Sequence, residues 1–210
     1  MYTPKQFQPG SDADCLDFVR ANPFGILATH STDSPRIETT HTPFLLSEDG
    51  SVLTGHIARA NPHWKSWQAG GTTLAKCLFH GPHAYISPRY YATEFNVPTW
   101  NYTAVDLSGR LHIEDSAEQC LKFLSELTER FEPGEAGWKF DTGDQRYSKL
   151  ADAIVVFSIE VESIEGKFKL NQNKSRGDQE SVIAHLVGSG HHADQEVASL
   201  MEENLNNQSC

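Results

Sequence analysis

Val155-Val156-Phe157-Ser158-Ile159-Glu160-Val161-Glu162 is the stretch on which the fold turns. Val155, Phe157, Ile159 and Val161 fall on one side of an extended chain, and Ser158, Glu160 and Glu162 on the other. Successive side chains leave a strand on opposite faces, so a period of two marks a strand with one face buried and one solvated. Shorter segments toward the N-terminus read the same way. Residues 24–29 are apolar and open with Gly25, and residues 37–46 are rich in β-branched side chains. Glu48-Asp49-Gly50 then turns the chain into residues 51–56, a hairpin. Residues 72–79 predict a further strand stopped by Gly81-Pro82, and residues 102–107 and 110–114 predict two more on either side of Ser108-Gly109.

Helical spacing accounts for other segments. Ser11 with Asp14 marks a cap, Cys15, Phe18 and Val19 form an apolar stripe, and Asn22-Pro23 ends it. Ser116 with Gln119 makes a capping box ahead of Cys120, Phe123, Leu124, Leu127 and Phe131, and Pro133-Gly134 closes that helix. A third pattern runs from Asp178 through Val182, Ile183, Leu186 and Val187 to Gly188. A fourth follows Asp194, with Val197, Leu200 and Met201 on one face. Six or seven short strands joined mostly by turns predict a mainly β fold with helices (α+β), an antiparallel barrel rather than a parallel βαβ sheet. Closing the sheet also removes exposed edges. Residues 1–165 read as the barrel domain, and 166–210 as a polar helical extension that packs on the barrel or on a partner chain.

The chain has 210 residues with 38% apolar side chains, enough for one globular domain with a sizeable core. No apolar run approaches the roughly 18 residues of a bilayer-spanning helix, and the N-terminus has no signal pattern, so a soluble cytoplasmic protein is expected. Cys15, Cys77, Cys120 and Cys210 form no C-x-x-C pair and read as reduced, mostly buried thiols, with the terminal Cys210 exposed. A net charge of −11 repels phosphodiester backbones, so any DNA contact by this chain is expected to be weak or indirect.

Dinucleotide-binding, P-loop, zincin and nucleophile-elbow motifs are all missing. In their place stand dense polar-aromatic segments: His41-Thr42-Pro43-Phe44, residues 55–64, residues 79–88, residues 97–102 and residues 169–173. Their histidines, threonines and asparagines suit a ring with imide and carbonyl edges, and Trp64, Trp100, Tyr85 and Tyr90 offer stacking walls. Arg59 and Arg89 are phosphate-clamp candidates, with Thr40, Asn61 and Ser87 as neutral donors. Ala60-Asn61-Pro62 predicts a helix start, whose N–H groups favour an anion. Blander readings stand beside these. Arg59 also fits a surface ion pair, and Trp100 and Tyr102 also fit core or interface positions. His80 and His83 have metal-ligand spacing but sit at a Gly-Pro turn without a local carboxylate, so no metal is expected. On the residues alone the ligand stays undecided.

Taken in order, these segments resemble the PaiB family. The resemblance rests on Met1-Tyr2-Thr3-Pro4, His41-Thr42-Pro43, Gly55-His56-x-Ala58-Arg59-x-Asn61-Pro62 and Gly81-Pro82-His83-Ala84-Tyr85-Ile86-Ser87-Pro88. It continues through Val97-Pro98-Thr99-Trp100-Asn101-Tyr102 and Lys169-Leu170-x-Gln172-Asn173, and so covers residues 1 to about 205. The resemblance implies a split β-barrel of the kind shared with pyridoxamine-phosphate oxidases and flavin reductases, holding FMN at a homodimer interface. It implies a negative transcriptional regulator or flavin-dependent sensor, linked in bacilli to sporulation and degradative-enzyme genes. The alternative is an FMN-dependent oxidoreductase or flavin reductase, for which His41, His56 or His83 are the proton-transfer candidates. Thr40, His41, His56, Arg59, Asn61, Ser87 and Arg89 are the expected FMN neighbours, with Lys169, Gln172 and Asn173 closing the site, from the partner chain in one reading. Two positions depart from the family pattern: Arg89-Tyr90-Tyr91 stands where a Trp-Tyr pair is usual, and Asn171 where Ser is usual.

Overall fold

Asp49 and Gly50 turn the chain as their residue types require. The Asp49 carboxylate accepts hydrogen bonds from the Ser47 and Ser51 hydroxyls and the Ser51 N–H, and Gly50 takes a positive φ of 76°. On either side lie β2 (Ile37–Leu46) and β3 (Val52–Ala58), paired antiparallel through Phe44↔Gly55. A computed structural model describes residues 1–30, 36–67, 73–114, 116–141 and 143–207. Among these the other strands are β1 (Phe24–His30), β4 (Thr73–Ile86), β5 (Thr99–Glu114) and β6 (Ile154–Lys169). They close into a barrel in the order β1-β2-β3-β6-β5-β4. The helices are α1 (Asp12–Ala21), α2 (Ala117–Phe131), α3 (Gln145–Ala151), α4 (Arg176–Val187) and α5 (His192–Asn207). The barrel with helices agrees with the fold class read from the sequence, and the cap of α1 and the capping box of α2 form as expected.

Two strands run further than their glycines predicted. The chain does not stop at Gly81-Pro82; β4 continues through them to Ile86. Gly81 is there for close approach, since a Cβ would collide with the Thr103 hydroxyl and lie 2.8 Å from the Phe18 ring. Ser108-Gly109 is likewise no turn. It lies inside the single strand β5, where a Cβ on Gly109 would run into the Glu160 carbonyl of β6. The predicted strand start at Thr72 and the predicted exposure of Cys210 lie outside the described residues.

Val155, Phe157 and Ile159 are fully buried, as the alternation requires. Val156, on the opposite face, is buried too, because α2 lays Cys120 and Phe123 over it together with Ala151. Cys15, Cys77 and Cys120 are buried thiols outside any disulfide among the described residues, and burial pushes the Cys15 thiol up to about 11. No helix among the described residues is long and apolar enough to cross a membrane.

The chain divides into two compact units. One comprises residues 19–79 and 106–164; the other comprises residues 1–18, 80–105 and 165–210. In the second unit α4 and α5 pack Val182, Leu186, Val197 and Met201 against Ala84, Ile86, Tyr91 and Leu170. Asn171 follows β6 in the left-handed region at φ 66°, a conformation that asparagine tolerates better than serine.

Candidate functional site

In the unit of residues 19–79 and 106–164, the inner face of β2 carries Glu38, Thr40, Thr42 and Phe44 in alternation, and burial deepens along it. After β3, a 3-10 turn at Pro62–Trp67 returns His63 and Trp67 to that face. The Thr40 hydroxyl lies 2.8 Å from His63 Nδ1 and accepts a hydrogen bond from Asn61 Nδ2 at 3.1 Å. Asn61 Oδ1 accepts from the His63 N–H at 3.0 Å. His63 Nε2 lies 2.7 Å from the Thr29 hydroxyl, which also accepts from Trp67 Nε1. Burial holds the His63 imidazole below its usual titration range, against the opposing effect of the Glu38 carboxylate.

The other expected residues of this unit surround that network differently. His56 packs on Phe123 with ring centroids 5.4 Å apart, and burial depresses its imidazole as well. Its Nδ1 is buried with no hydrogen-bond partner among the described residues. His41 is exposed and stacks on Phe24. Arg59 donates from Nε to the Asp152 carbonyl and from Nη2 to the Ile154 carbonyl, at 2.9 and 2.8 Å. Its backbone N–H adds a bond to the Ala153 carbonyl. Its guanidinium also lies over the Trp64 ring, whose Nε1 donates to the Arg59 carbonyl. Arg59 thus ties the end of β3 to the start of β6.

In the second unit, β4 and β5 expose an aromatic group. Trp100 is 53% exposed and Tyr85 46%; their rings lie 5.8 Å apart, and His83 lies 6.1 Å from Trp100. Lys169, at the end of β6, donates from Nζ to the Thr99 hydroxyl and to the Trp100 carbonyl. Its ammonium is held below the usual lysine range by burial, then by Lys167 and Lys174. Ser87 is buried and caps the 3-10 turn Pro88–Tyr90 by accepting from the Arg89 N–H, while the Arg89 side chain is exposed. Gln172 folds back onto its own strand end, accepting from the Leu170 N–H and donating to the Phe168 carbonyl. It also lines a cavity of about 660 Å³ with Phe18, Phe168 and Leu200. Asn173 is exposed. Tyr90, expected as a stacking wall, stacks on His185 of α4 instead.

The structure therefore joins Thr40 to Asn61 directly and groups Lys169 with Tyr85 and Trp100. It adds His63, which the sequence reading passed over. The Asn61-Pro62-His63 spacing carried the signal, since an asparagine side chain readily accepts from the N–H two residues on. It also adds Lys174, which donates to Asn96 and lies over the Tyr91 ring. FMN needs cations and N–H donors for a phosphate, polar edges for an imide and an apolar wall for a three-ring plane. Within the second unit Lys169 and Arg89 are such cations and Tyr85 with Trp100 such a wall. Within the first unit Thr40 and Asn61 are such polar groups.

Comparison with known proteins agrees. The family described as "Putative FMN-binding domain" matches residues 1–163. Protease synthase and sporulation protein PAI 2 of Bacillus subtilis is 35% identical over 216 residues, covering 99% of this chain and 100% of that one. An uncharacterized protein of Emericella nidulans is 32% identical, covering 88% of this chain and 90% of its own. Among solved structures, an FAD and heme binding protein from Mycobacterium smegmatis shares the fold. Its TM-score is 0.59 at 16% identity, with 84% of this chain and 79% of that one covered. A family match over most of the length, with end-to-end identity above 30%, leads to one conclusion: this chain belongs to the PaiB family of FMN-binding split-barrel proteins.

Proposed function

We propose that this protein is a cytoplasmic, homodimeric FMN-binding regulator or flavin-dependent sensor. The observation that carries this reading is the 35% identity along the whole length of the Bacillus subtilis protein, whose name places it in protease synthesis and sporulation. FMN, when bound, supplies a redox-active ring; the protein supplies placement and electrostatics. Lys169 and Arg89 take the phosphate through charge-assisted hydrogen bonds. In the same unit Tyr85 and Trp100 offer the ring an apolar wall, and Ser87, Gln172 and Asn173 are further candidate FMN neighbours. In the other unit the candidate neighbours are Thr40, His41, His56 and Asn61. Arg59 holds the β3–β6 junction beside Asn61.

Self-association is supported by exposed apolar side chains on neighbouring strands. Ile37 on β2 and Leu74 on β4 are 70% and 61% exposed, and each pairs in register with His30 of β1. With a net charge of −11, DNA contact is weak, salt-sensitive or made through a partner protein. The test is a promoter-fragment gel shift on the purified protein, with and without FMN, alongside stopped-flow mixing with NADH. Fragment retention that changes with FMN, and no turnover, supports the regulator. Repeated bleaching and reoxidation without any effect on DNA assigns an oxidoreductase instead.

A further inference from the structure

The hydrogen atoms around His63 can be counted. The His63 backbone N–H is an obligate donor and points at Oδ1 of Asn61. That fixes the amide's orientation, so the group facing Thr40 Oγ1 is the Nδ2 donor. Trp67 Nε1 is likewise an obligate donor, and it faces Thr29 Oγ1. Each threonine hydroxyl therefore accepts one bond before His63 is considered.

A neutral imidazole offers one N–H and one acceptor nitrogen, and His63 presents one to each hydroxyl, at 2.8 and 2.7 Å. If Nε2 carried the hydrogen, Thr29 would accept twice and its own hydroxyl hydrogen would have no acceptor among the described residues. Thr29 is 3% exposed, so that donor would be stranded. If Nδ1 carries it, Thr29 donates to Nε2 and is fully satisfied. Thr40 then accepts from both Asn61 and His63, and its hydroxyl hydrogen is left without an acceptor among the described residues. A doubly protonated ring would strand the Thr29 hydrogen again. Burial also favours the neutral ring, against the opposing Glu38 carboxylate.

We infer that His63 is a positioning residue, held as the Nδ1–H tautomer, that fixes the half-buried Thr40 hydroxyl as a donor to an acceptor atom of the bound ligand. That atom is a carbonyl or phosphoryl oxygen. An N–H edge of a ligand finds no acceptor at Thr40, because both acceptor positions are filled from within. The inference rests on the FMN reading and adds to it the polarity of one contact and the residue that sets it.

Two measurements test it on the full chain. Long-range proton–nitrogen NMR of histidine-labelled protein, with the His63 signal assigned by its loss in His63→Gln, reads the tautomer directly. Protonated Nδ1 is expected, although free imidazole side chains favour Nε2–H; an Nε2–H or doubly protonated His63 at neutral pH overturns the inference. Flavin fluorescence titration then reads the contact. Thr40→Val is expected to weaken FMN about tenfold, the loss of one uncharged hydrogen bond, while Thr40→Ser binds as the unaltered chain does. Unchanged FMN affinity in Thr40→Val overturns the inference and leaves the FMN reading intact. Failure of the unaltered chain to bind FMN breaks that reading, and the ligand contact at Thr40 with it.

Discussion

Thr40, Asn61 and His63 hold one another through a closed set of hydrogen bonds, whereas Tyr85 and Trp100 stand exposed on the other unit with the half-buried Lys169 bonded beside them. The first group is already arranged before any ligand arrives, so a ligand meets fixed donors and pays little ordering entropy. The second is a wall and a charge that a planar anion can settle against. Perturbing the network should change folding stability and binding together. Perturbing the surface group should change binding alone.

The sharpest way to break this contrast is to disturb the frames that carry the two groups. Gly109→Ala places a Cβ against the Glu160 carbonyl, which is backbone and cannot swing aside. It should destabilise by about 3 kcal/mol or more in urea unfolding. Gly81→Ala meets the Thr103 and Phe18 side chains, which can shift, and should cost less. Equal losses would contradict the assignment of Gly109 to a backbone contact.

Arg59→Ala comes next. It removes two donors from the Asp152 and Ile154 carbonyls and should lower stability by about 1–3 kcal/mol, with an unchanged denaturant slope. Arg59→Lys should recover only part of this, because an ammonium cannot span two carbonyls as the guanidinium fork does. Trp100→Ala, by contrast, should leave the unfolding midpoint nearly unchanged and cost about 1 kcal/mol in FMN affinity. A large stability loss there would erase the distinction between the two groups.

Acid gives a graded effect. His56 and His63 both sit below the unfolded imidazole value of 6.5 through burial. The unfolded chain therefore binds more protons than the folded one in the window beneath 6.5. Stability should be level above that pH and fall as the pH drops through the window. His63→Gln should flatten part of the slope. A midpoint that rises on acidification would contradict the buried neutral histidines. The smallest effect compares two helix caps. Ser116 caps α2 in one unit and Ser175 caps α4 in the other, each accepting from the N–H three residues on. Ser116→Ala and Ser175→Ala should each cost about 1 kcal/mol.

The alternation at Val155–Val161 and the hairpin at Asp49-Gly50 made the barrel legible, because strand period and turn chemistry are local properties. Gly81 and Gly109 were misread as breaks for the same reason. Their role is to admit a neighbour from elsewhere in the chain, and one sequence does not display neighbours. Val156 shows the same limit, since its burial depends on α2 arriving from outside the alternation. At the site, residue types indicated a polar-aromatic ligand, and the ordered motifs indicated FMN. Which polar groups meet was beyond reach. His63 lies inside the polar-aromatic stretch 55–64, yet its place between Thr29 and Thr40 arises from strand pairing plus the Pro62–Trp67 turn. Arg59 reads in sequence as a phosphate clamp or a surface ion-pair residue, because carbonyl partners at residues 152 and 154 leave no mark on composition.

The most direct test is a titration of the purified, unaltered chain with FMN, followed by flavin absorbance and fluorescence. The account predicts saturable binding in the micromolar range or tighter, one flavin per chain, with a shifted flavin spectrum. A protein that stays colourless, with a flavin signal identical to that in buffer throughout the titration, would contradict it.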